Sequence, residues 1–396
     1  MRIALFTETF LPKVDGVVNT LCHLLDHLAL RGHQSMLFAP AGGPSRYADT
    51  EVVGLPRVRM PGYPELRLAL PLLSIDHHLS DFRPDLIHLV NPFSLGPAGL
   101  RFARRTGTPT IASYHTDIPG FLRRWHLGVF SPAVNAYLRA LHNRADLNLT
   151  PSRETLNMLE GMGFRRLQVW ERGVDTVLFR PENRSPVWRR RLCGGEPERP
   201  LLLYVGRLSY EKRVDWLRPV LEVLPRVRLA VVGDGPARAS LERVFEGTPT
   251  VFTGYLQGEE LAGVYASADI FTFASQYETV GNVILEAMAS GLPVAAPRSG
   301  GLLDHVVHEK NGLLFDPDDP RGLSSPVRRL VENPAYGSLL GAAGRRYVEG
   351  RDWKSTLDGL LRAYTLVAAQ SPGRRPQRPR RLDRQRQGTL DEILLQ

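Results

Sequence analysis

Short apolar, β-branched runs alternate with longer helical stretches along almost the whole chain. The first half holds seven runs with strand character, at residues 2–7, 34–40, 51–58, 85–90, 110–115, 146–151 and 167–171. Helices are predicted between them, notably at 19–31, 96–105 and 132–143. This order is typical of a parallel sheet whose strands are joined by crossover helices.

A second series of the same kind begins at residue 201. Its strands are predicted at 201–206, 228–233, 250–253, 269–274, 292–296 and 312–315. Between the two series, residues 173–200 are rich in proline and carry the basic run Arg189-Arg190-Arg191, which is typical of a linker with a short helix. We therefore predict an α/β protein of two Rossmann-like domains that face each other across a cleft.

Length and composition agree with this division. A chain of 396 residues, 43% hydrophobic and 23% charged, is too long for one compact core. It contains no run of about eighteen apolar residues and begins directly on a strand pattern, so we expect a cytoplasmic protein. Cys22 and Cys193 are far apart and lack metal-ligand spacing, which argues against a disulfide framework or a zinc site.

The positive charge is concentrated near the C-terminus. Residues 373–386 contain seven Arg and one Asp, so +6 of the net charge of +9 lies there. Such a segment cannot bury enough apolar surface to fold. We therefore expect the tail at 371–396 to be disordered as far as its apolar patch at 390–395. It either keeps the protein soluble, attracts anionic lipid headgroups or binds nucleic acid without specificity.

Two glutamates bracket the start of an apolar helix. Glu278 lies in a loop with Gly281, and Glu286 lies about one turn inside the helix predicted from residue 283. Amides at a helix N-terminus can meet hydroxyls or an anionic leaving group, and the carboxylates can accept from a hexose hydroxyl and a ribose diol. The block predicts a site for a nucleotide-sugar.

A guanidinium and an ammonium follow a glycine at the end of the strand predicted at 201–206. Arg207, next to Gly206, can bind two phosphate oxygens with its planar fork, and Lys212 supplies a compact charge. Together they would compensate the negative charge of a departing diphosphate. By contrast, Gly233-Asp234-Gly235-Pro236 is interpreted as a tight turn, because proline has no amide to offer a phosphate.

In the first half, polar residues again follow strands, where ligands of open α/β sheets bind. Gly16 permits close backbone approach after the first strand, and Asp15 before it either orients an acceptor hydroxyl or serves as a turn residue. His115 and Asp117 follow the strand predicted at 110–115. We expect these side chains to meet the charges of the second half in one crevice.

These motifs resemble the retaining, GT-B-fold glycosyltransferases of family 4, above all its glycolipid-forming and mannosyl-transferring members. The likeness extends to about residue 368 and departs at Val280, where the family often has Phe, which loosens the prediction of which sugar is bound. It implies an acceptor domain at 1–172, a nucleotide-sugar donor domain at 173–352, a helix at 353–370 that returns to the first domain, and the basic tail at 371–396.

The resemblance also implies roles for individual residues. Those expected to act in catalysis are Asp15, His115, Arg207, Lys212 and Glu278, where His115 would contact the donor hexose through its ring or its backbone carbonyl. Those expected to bind the donor and its nucleotide are Gly16, Gly206, Tyr255, Leu256, Thr279, Val280, Gly281, Asn282 and Glu286. Asp117 would hold the His115 ring or the acceptor.

The implied reaction moves a hexose, with retention, from a UDP- or GDP-sugar to an acceptor hydroxyl on a membrane lipid or glycolipid. No metal and no cofactor beyond the donor are expected, and Asp316-Pro317-Asp318 is interpreted as a turn and helix start. Residues 120–130 mix aromatics with two arginines and fit either contact with an anionic membrane, on its inner face, or core packing.

Two rival functions use the same sequence features. A nucleotide-sugar 2-epimerase has the same architecture but needs no acceptor, and a non-enzymic membrane- or nucleic-acid-binding protein would rest on the basic tail alone. We expect no specific nucleic-acid partner. The sequence leaves open the sugar, the base, the acceptor and the oligomeric state.

Overall fold

Two parallel sheets, one in each half of the chain, organise the structure, which confirms the predicted α/β class. The computed structural model describes residues 1–13, 15–60, 63–71, 74–118 and 128–370. Residues 120–127 of the predicted membrane-contact stretch and the tail at 371–396 lie outside the described residues. Within the described ranges, every helix is too short or too polar to span a lipid bilayer.

The described residues of the first half form ten strands. They are β1 (Arg2–Thr7), β2 (Gln34–Pro40), β3 (Arg46–Tyr47), β4 (Thr50–Leu55), β5 (Arg57–Met60), β6 (Tyr63–Ala69), β7 (Leu86–Val90), β8 (Thr110–Ser113), β9 (Leu147–Thr150) and β10 (Leu167–Val169). The second half adds β11 (Leu201–Val205), β12 (Arg228–Val232), β13 (Thr250–Gly254), β14 (Ile270–Thr272), β15 (Val294–Pro297) and β16 (Leu313–Phe315).

The helices alternate with these strands. They are α1 (Gly16–Leu30), α2 (Ser74–Phe82), α3 (Gly96–Thr106), α4 (Ser131–His142), α5 (Arg153–Gly161), α6 (Pro186–Leu192), α7 (Arg218–Val223), α8 (Arg238–Val244), α9 (Gly258–Ser267), α10 (Asn282–Ala289), α11 (Ser324–Glu332), α12 (Pro334–Val348) and α13 (Trp353–Ala369).

The first sheet has the strand order β10-β9-β8-β7-β1-β2-β4-β3, and all its neighbours are parallel except β3 and β4. Its central strands are buried apolar runs because helices cover both faces. The single strand predicted at 51–58 is wrong: β4 ends at Leu55 and β5 begins at Arg57 in a separate two-stranded sheet with β6. Pro56 between them has no amide to continue the ladder.

The second sheet has the order β13-β12-β11-β14-β15-β16 and is parallel throughout. In each sheet the chain leaves its first strand to one side and later returns to the other: β1 lies between β2 and β7, and β11 between β12 and β14. Ligands of open parallel sheets bind beyond the carboxyl ends of the strands at such a reversal. The fold therefore points to the loops after β1, β7, β11 and β14.

The last helix packs on the first sheet although it follows the second. Leu357, Leu360 and Tyr364 of α13 belong to the same buried cluster as Ile3 and Leu5 of β1. The chain thus crosses between the halves twice, before β11 and before α13.

The linker between the two sheets is held by one buried arginine of its basic run. Arg189, on α6, forms an ion pair of 2.8 Å between its Nη2 and Asp269 Oδ2. Its guanidinium also donates to the backbone carbonyls of Pro197, Ser267 and Arg199. A cation that is 8% exposed is tolerated here because it has both an anion and acceptors.

Candidate active site

The loop that carries Glu278 ends in a left-handed glycine that starts α10. Gly281 has φ 84°, and a Cβ there would lie 2.4 Å from Leu302 Cδ2, so only glycine fits without a shift. Helix α10 begins at Asn282, one residue before the predicted start. In its first turn the Ile284 amide donates to the Gly281 carbonyl at 2.9 Å, whereas the amides of Asn282 and Val283 have no carbonyl four residues earlier within the helix to bond. The loop thus presents free amides beside a carboxylate.

Lys212 and Glu278 form an ion pair between the loops after β11 and β14. Their side chains are 21% and 15% exposed, and the bond joins Lys212 Nζ to Glu278 Oε1. Arg207 lies in the same loop as Lys212, after Gly206, and is partly buried. The predicted charges of the second half therefore share one edge of its sheet.

A glycine-rich turn supports the Glu278 loop from behind. The Gly301 amide donates to the Glu278 carbonyl at 2.8 Å, and a Cβ at Gly301 would lie 2.1 Å from the Thr279 carbonyl oxygen. A Cβ at Gly300 would likewise lie 2.6 Å from the backbone carbonyl oxygen of Glu278. This turn fixes the loop by close backbone packing.

Glu286 lies one turn inside α10 and is partly buried. Its Oε2 accepts from the hydroxyl of Tyr265, on α9, at 2.8 Å. Burial raises the pKa of Glu286 to about 7, although the Tyr265 hydrogen bond opposes the shift. Its protonation state therefore changes near neutral pH.

In the first half, Asp15 caps α1. Its Oδ1 accepts from the amides of Val17 and Val18 at 3.0 and 2.9 Å, and its Oδ2 is 2.9 Å from Lys13 Nζ. This geometry matches the turn-residue interpretation of Asp15 and explains why α1 begins at Gly16, earlier than predicted.

The two halves meet at the predicted residues. A Cβ at Gly16 would lie 3.5 Å from Asn282 Nδ2, and Thr279 Oγ1 donates to the His115 carbonyl at 3.1 Å. Asn282 Oδ1 is buried without a hydrogen-bond partner among the described residues. The loops after β1 and β8 thus face the start of α10 across the cleft, with a polar oxygen available between them.

The His115 ring lies in the first half rather than in the cleft. Its Nε2 is 2.8 Å from Ser113 Oγ, its Nδ1 is 2.6 Å from Arg172 Nη2, and the residue is 6% exposed. Burial, followed by the positive charge of Arg172, holds the pKa of His115 well below its usual range. Of the two predicted modes of sugar contact, the backbone carbonyl is the one that faces the second half.

The remaining predicted residues lie around this centre. Asp117 Oδ1 is 3.4 Å from the Tyr114 hydroxyl. Tyr255, 53% exposed, and the partly buried Leu256 follow β13, whereas Val280 is 6% exposed and packs as a core residue.

Comparison with known proteins decides the family. Two family models match, Glycosyltransferase Family 4 over residues 14–178 and Glycosyl transferases group 1 over residues 199–333. A GDP-mannose-dependent alpha-mannosyltransferase of Mycobacterium tuberculosis is 39% identical over 376 residues, which cover 93% of this chain and 97% of that protein. An alpha-monoglucosyldiacylglycerol synthase of Streptococcus pneumoniae is 30% identical over 326 residues, covering 78% and 74%.

This chain is a family 4 glycosyltransferase. Among solved structures, the sucrose-phosphate synthase from Thermosynechococcus elongatus superposes with a TM-score of 0.78 at 22% identity, covering 93% of this chain and 99% of that one. The glycosyltransferase therefore has the GT-B fold, and the resemblance that the motifs indicated is confirmed. The epimerase and the non-enzymic binding protein are not favoured, because the comparisons point to glycosyltransferases.

Two motifs that were discounted from the sequence of this glycosyltransferase are structural turns. A Cβ at Gly233 would lie 2.0 Å from the Gly206 carbonyl oxygen, so the loops after β11 and β12 touch through their backbones. The Asp318 amide donates to Asp316 Oδ1 at 2.9 Å in a turn. Within the part of the chain that the structure describes, no group of three His, Cys, Asp or Glu side chains is arranged to hold a metal ion.

Sequence reasoning missed three polar residues that shape the glycosyltransferase site. Asn91, directly after β7, accepts from the amides of His115 and Thr116, both at 3.3 Å. Arg172 and Ser113 hold the His115 ring. The strand-end rule points to Asn91, whereas the contact between Arg172 and His115 spans 57 residues and leaves no local signal.

Proposed function

We propose that this glycosyltransferase moves a hexose, with retention and without a metal ion, from a GDP- or UDP-sugar to a hydroxyl of a membrane lipid or glycolipid. The observation that carries the proposal is the Lys212–Glu278 ion pair beside the N-terminus of α10, opposite the His115 carbonyl and Gly16 of the other half. Cations for a diphosphate and acceptors for sugar hydroxyls lie side by side there.

In the proposed complex, the diphosphate replaces Glu278 as the ion-pair partner of Lys212. Arg207 and Lys212 then bind the phosphates, and the carboxylate of Glu278, released from its ion pair, accepts from a sugar hydroxyl. Glu286 accepts from the ribose diol. Because a charge-assisted bond to Lys212 strengthens as negative charge grows on the leaving oxygen, this contact favours the transition state over the bound donor.

Retention in this proposal uses no enzymic nucleophile. The acceptor oxygen forms its bond to the anomeric carbon on the face from which the diphosphate oxygen departs, and the acceptor proton passes to that phosphate oxygen. Both carboxylate oxygens of Asp15 are engaged by α1 amides and Lys13, which supports a structural role for Asp15. The products are a glycoside and a nucleoside diphosphate.

The relatives guide the choice of substrates. One is named for GDP-mannose and the other for a glucosylated diacylglycerol. We therefore place GDP-mannose and UDP-glucose first among donors and diacylglycerol lipids first among acceptors. A lipid acceptor requires contact with the membrane surface, and Val129 and Phe130, 80% and 57% exposed before α4, support peripheral association with the cytoplasmic face.

A transfer assay tests this function. Each donor is incubated with vesicles of diacylglycerol lipid, with and without EDTA, and the linkage of the product is read by NMR. We expect an α-linked glycolipid in equal yield with and without EDTA. A β-linked product, full inhibition by EDTA, or an epimerised donor in the absence of acceptor would contradict the corresponding part of the proposal.

A further inference from the structure

Arg172 is a buried cation at the point where the chain leaves the first half. It lies between β10 and Gly173, is 3% exposed, and stacks on the Trp170 ring with its guanidinium carbon 4.4 Å from the centroid. Gly173 itself admits no side chain, because a Cβ there would lie 2.6 Å from Trp353 Cα. The guanidinium is thus fixed in place by its neighbours.

The contacts of Arg172 differ from those of a structural arginine. Its Nη2 lies 2.6 Å from His115 Nδ1 and its Nη1 3.4 Å from the Trp170 carbonyl oxygen. Nowhere in the described ranges does a carboxylate reach it, whereas Arg189, similarly buried, has Asp269 and three carbonyls. A buried charge without an anion is costly, and burial lowers the pKa of Arg172 to about 9.

The guanidinium selects one tautomer of His115. Arginine can only donate, so Nδ1 accepts and the proton of the neutral ring sits on Nε2, which donates to Ser113 Oγ at 2.8 Å. Ser113 Oγ is also 2.9 Å from His88 Nε2, and His88 Nδ1 is 2.6 Å from the Tyr364 hydroxyl of α13. Four hydrogen bonds thus connect Arg172 to Tyr364 through His115, Ser113 and His88, and the first two donate in the direction away from Arg172.

The backbone of His115 connects these hydrogen-bonded side chains to the cleft. Its carbonyl accepts from Thr279 Oγ1, in the loop of Glu278, and its amide faces Asn91 Oδ1. If the ring were free to turn, the backbone of residues 113–117 would lose the anchor that sets this carbonyl against the second half.

We propose that Arg172 is a positioning residue of the glycosyltransferase: by fixing the His115 ring from behind, it sets the His115 carbonyl where the donor sugar is bound. This inference rests on the proposed function for its kinetic consequence. Its structural consequence, a single tautomer of His115, stands without any substrate. Arg172 touches no substrate in this account and acts through His115.

Three variants of the full chain test the role. Arg172→Met removes the charge at similar volume, Arg172→Lys keeps a donor, and Arg189→Met is the matched control at a buried arginine whose partners are Asp269 and three backbone carbonyls of the second half and its linker. We expect Arg172→Met to unfold within about 2 °C of the unmodified protein or above it, because an uncompensated buried charge is lost. Its kcat/KM for the donor should fall about tenfold or more while the acceptor KM stays within about twofold.

Arg172→Lys should recover a large part of that loss, and Arg189→Met should lose stability with an unchanged donor KM. In ¹⁵N NMR spectra without substrate, His115 should carry its proton on Nε2 and show a mixture of tautomers in Arg172→Met. Donor kcat/KM within about twofold in Arg172→Met, or a proton on Nδ1 of His115 in the unmodified protein, overturns the proposal. If the unmodified protein transfers sugar from none of the donors, the proposed function is refuted. The NMR spectrum of His115 then still tests whether Arg172 fixes its tautomer.

Discussion

At the scale of single residues, the site contains an ion pair, Lys212–Glu278, whose two members can each bind part of the nucleotide-sugar donor instead of each other. Lys212 and Glu278 neutralise each other across two loops, so neither is left as an uncompensated, partly buried charge. A bound diphosphate carries more negative charge than Glu278 and binds the Lys212 ammonium more strongly. The sugar hydroxyls can then donate hydrogen bonds to the Glu278 carboxylate. The same two residues thus serve the empty and the occupied cleft.

Replacement of Lys212 by alanine should separate catalysis from folding. Because the ammonium acts most strongly on the charge of the leaving diphosphate, we expect kcat to fall by about 10²–10³. Stability should change by only about 1 kcal/mol, since the ion pair is partly exposed. Steady-state kinetics and urea unfolding measure the two effects. The control is Lys354→Ala, whose ammonium is 69% exposed on α13; equal rates in both variants would remove Lys212 from the mechanism.

Glu286 should make donor binding depend on pH. Its carboxyl has a pKa of about 7, and only the ionised form can accept from both hydroxyls of a ribose diol. The donor KM should therefore rise about tenfold for each pH unit below 7 and level off above it. In Glu286→Gln the KM should be high and flat across that range. The measurement covers about pH 5.5 to about pH 8, a range that brackets the pKa of about 7. A donor KM of the unmodified enzyme that stays constant over this range would contradict the ribose role of Glu286.

The same carboxyl has the opposite effect on stability. Because folding raises its pKa above the ordinary 4.5, the folded state binds the proton more tightly than the unfolded chain does. Ionised Glu286 therefore destabilises the fold above pH 7, and this cost disappears as the pH falls through 7 towards 4.5. Glu286→Gln should be more stable than the unmodified protein at pH 8, by about 1–3 kcal/mol in urea unfolding.

At the scale of elements, the start of α10 depends on Gly281. Its left-handed φ and the 2.4 Å approach of Leu302 to a Cβ predict that Gly281→Ala shifts the helix start and loses about 1–3 kcal/mol. Donor binding should weaken with it, because the shift moves the amides that face the donor. Gly161→Ala is the matched control, since a Cβ there has no neighbour within 4 Å. Thermal unfolding and donor titration of both variants test this.

The elements themselves follow largely from the sequence. Buried runs such as β1, β7 and β11 are short, largely apolar segments of five or six residues, a length typical of strands, and their positions match the prediction closely. The strands β3 and β6 were not predicted: β3 has only two residues at the edge of the first sheet, and β6 pairs with β5 in a separate two-stranded sheet. The first turn of α1 was missed because Val17 and Val18 favour strands by themselves, and Asp15 capping decides otherwise.

At the scale of the whole molecule, contacts between distant residues could not be predicted from local pattern. Gly16 meets Asn282 only because the two sheets face each other, and Arg172 meets His115 within the first half across 57 residues of sequence. Strand-end chemistry predicted which loops line the cleft, since it depends on topology alone. Which way the His115 ring turns depends on packing across the chain, and the sequence does not record it. The domain limits at residues 172 and 352 stay predictions.

Helix α13 closes the molecule, and one carboxylate clamps it to α1. Asp358 is hydrogen-bonded by Arg31 and by His27 Nε2 at 2.8 Å, and its Oδ2 lies 3.5 Å from Lys354. The Arg31 bond, ahead of that from His27, lowers the pKa of Asp358 to about 2. Because the folded pKa lies below the ordinary 3.8, the clamp stabilises the fold above about pH 4 and loses its effect as the pH falls through 2.

Asp358→Asn should therefore lower the free energy of unfolding by about 1 kcal/mol at pH 7, with the difference shrinking towards pH 2. Urea unfolding at several pH values measures it. The control is Asp81→Asn, whose side chain is 72% exposed beside His77. A loss in Asp358→Asn that is unchanged at low pH would show that the clamp does not act through its charge.

The claim on which the account depends is that both halves build one nucleotide-sugar site. A crystal structure with bound GDP or UDP tests it most directly. We expect the phosphates against Arg207 and Lys212, the ribose hydroxyls on Glu286 and the Lys212–Glu278 ion pair broken. A nucleotide bound elsewhere, or bound with that ion pair intact and Glu286 still on Tyr265 alone, would contradict it.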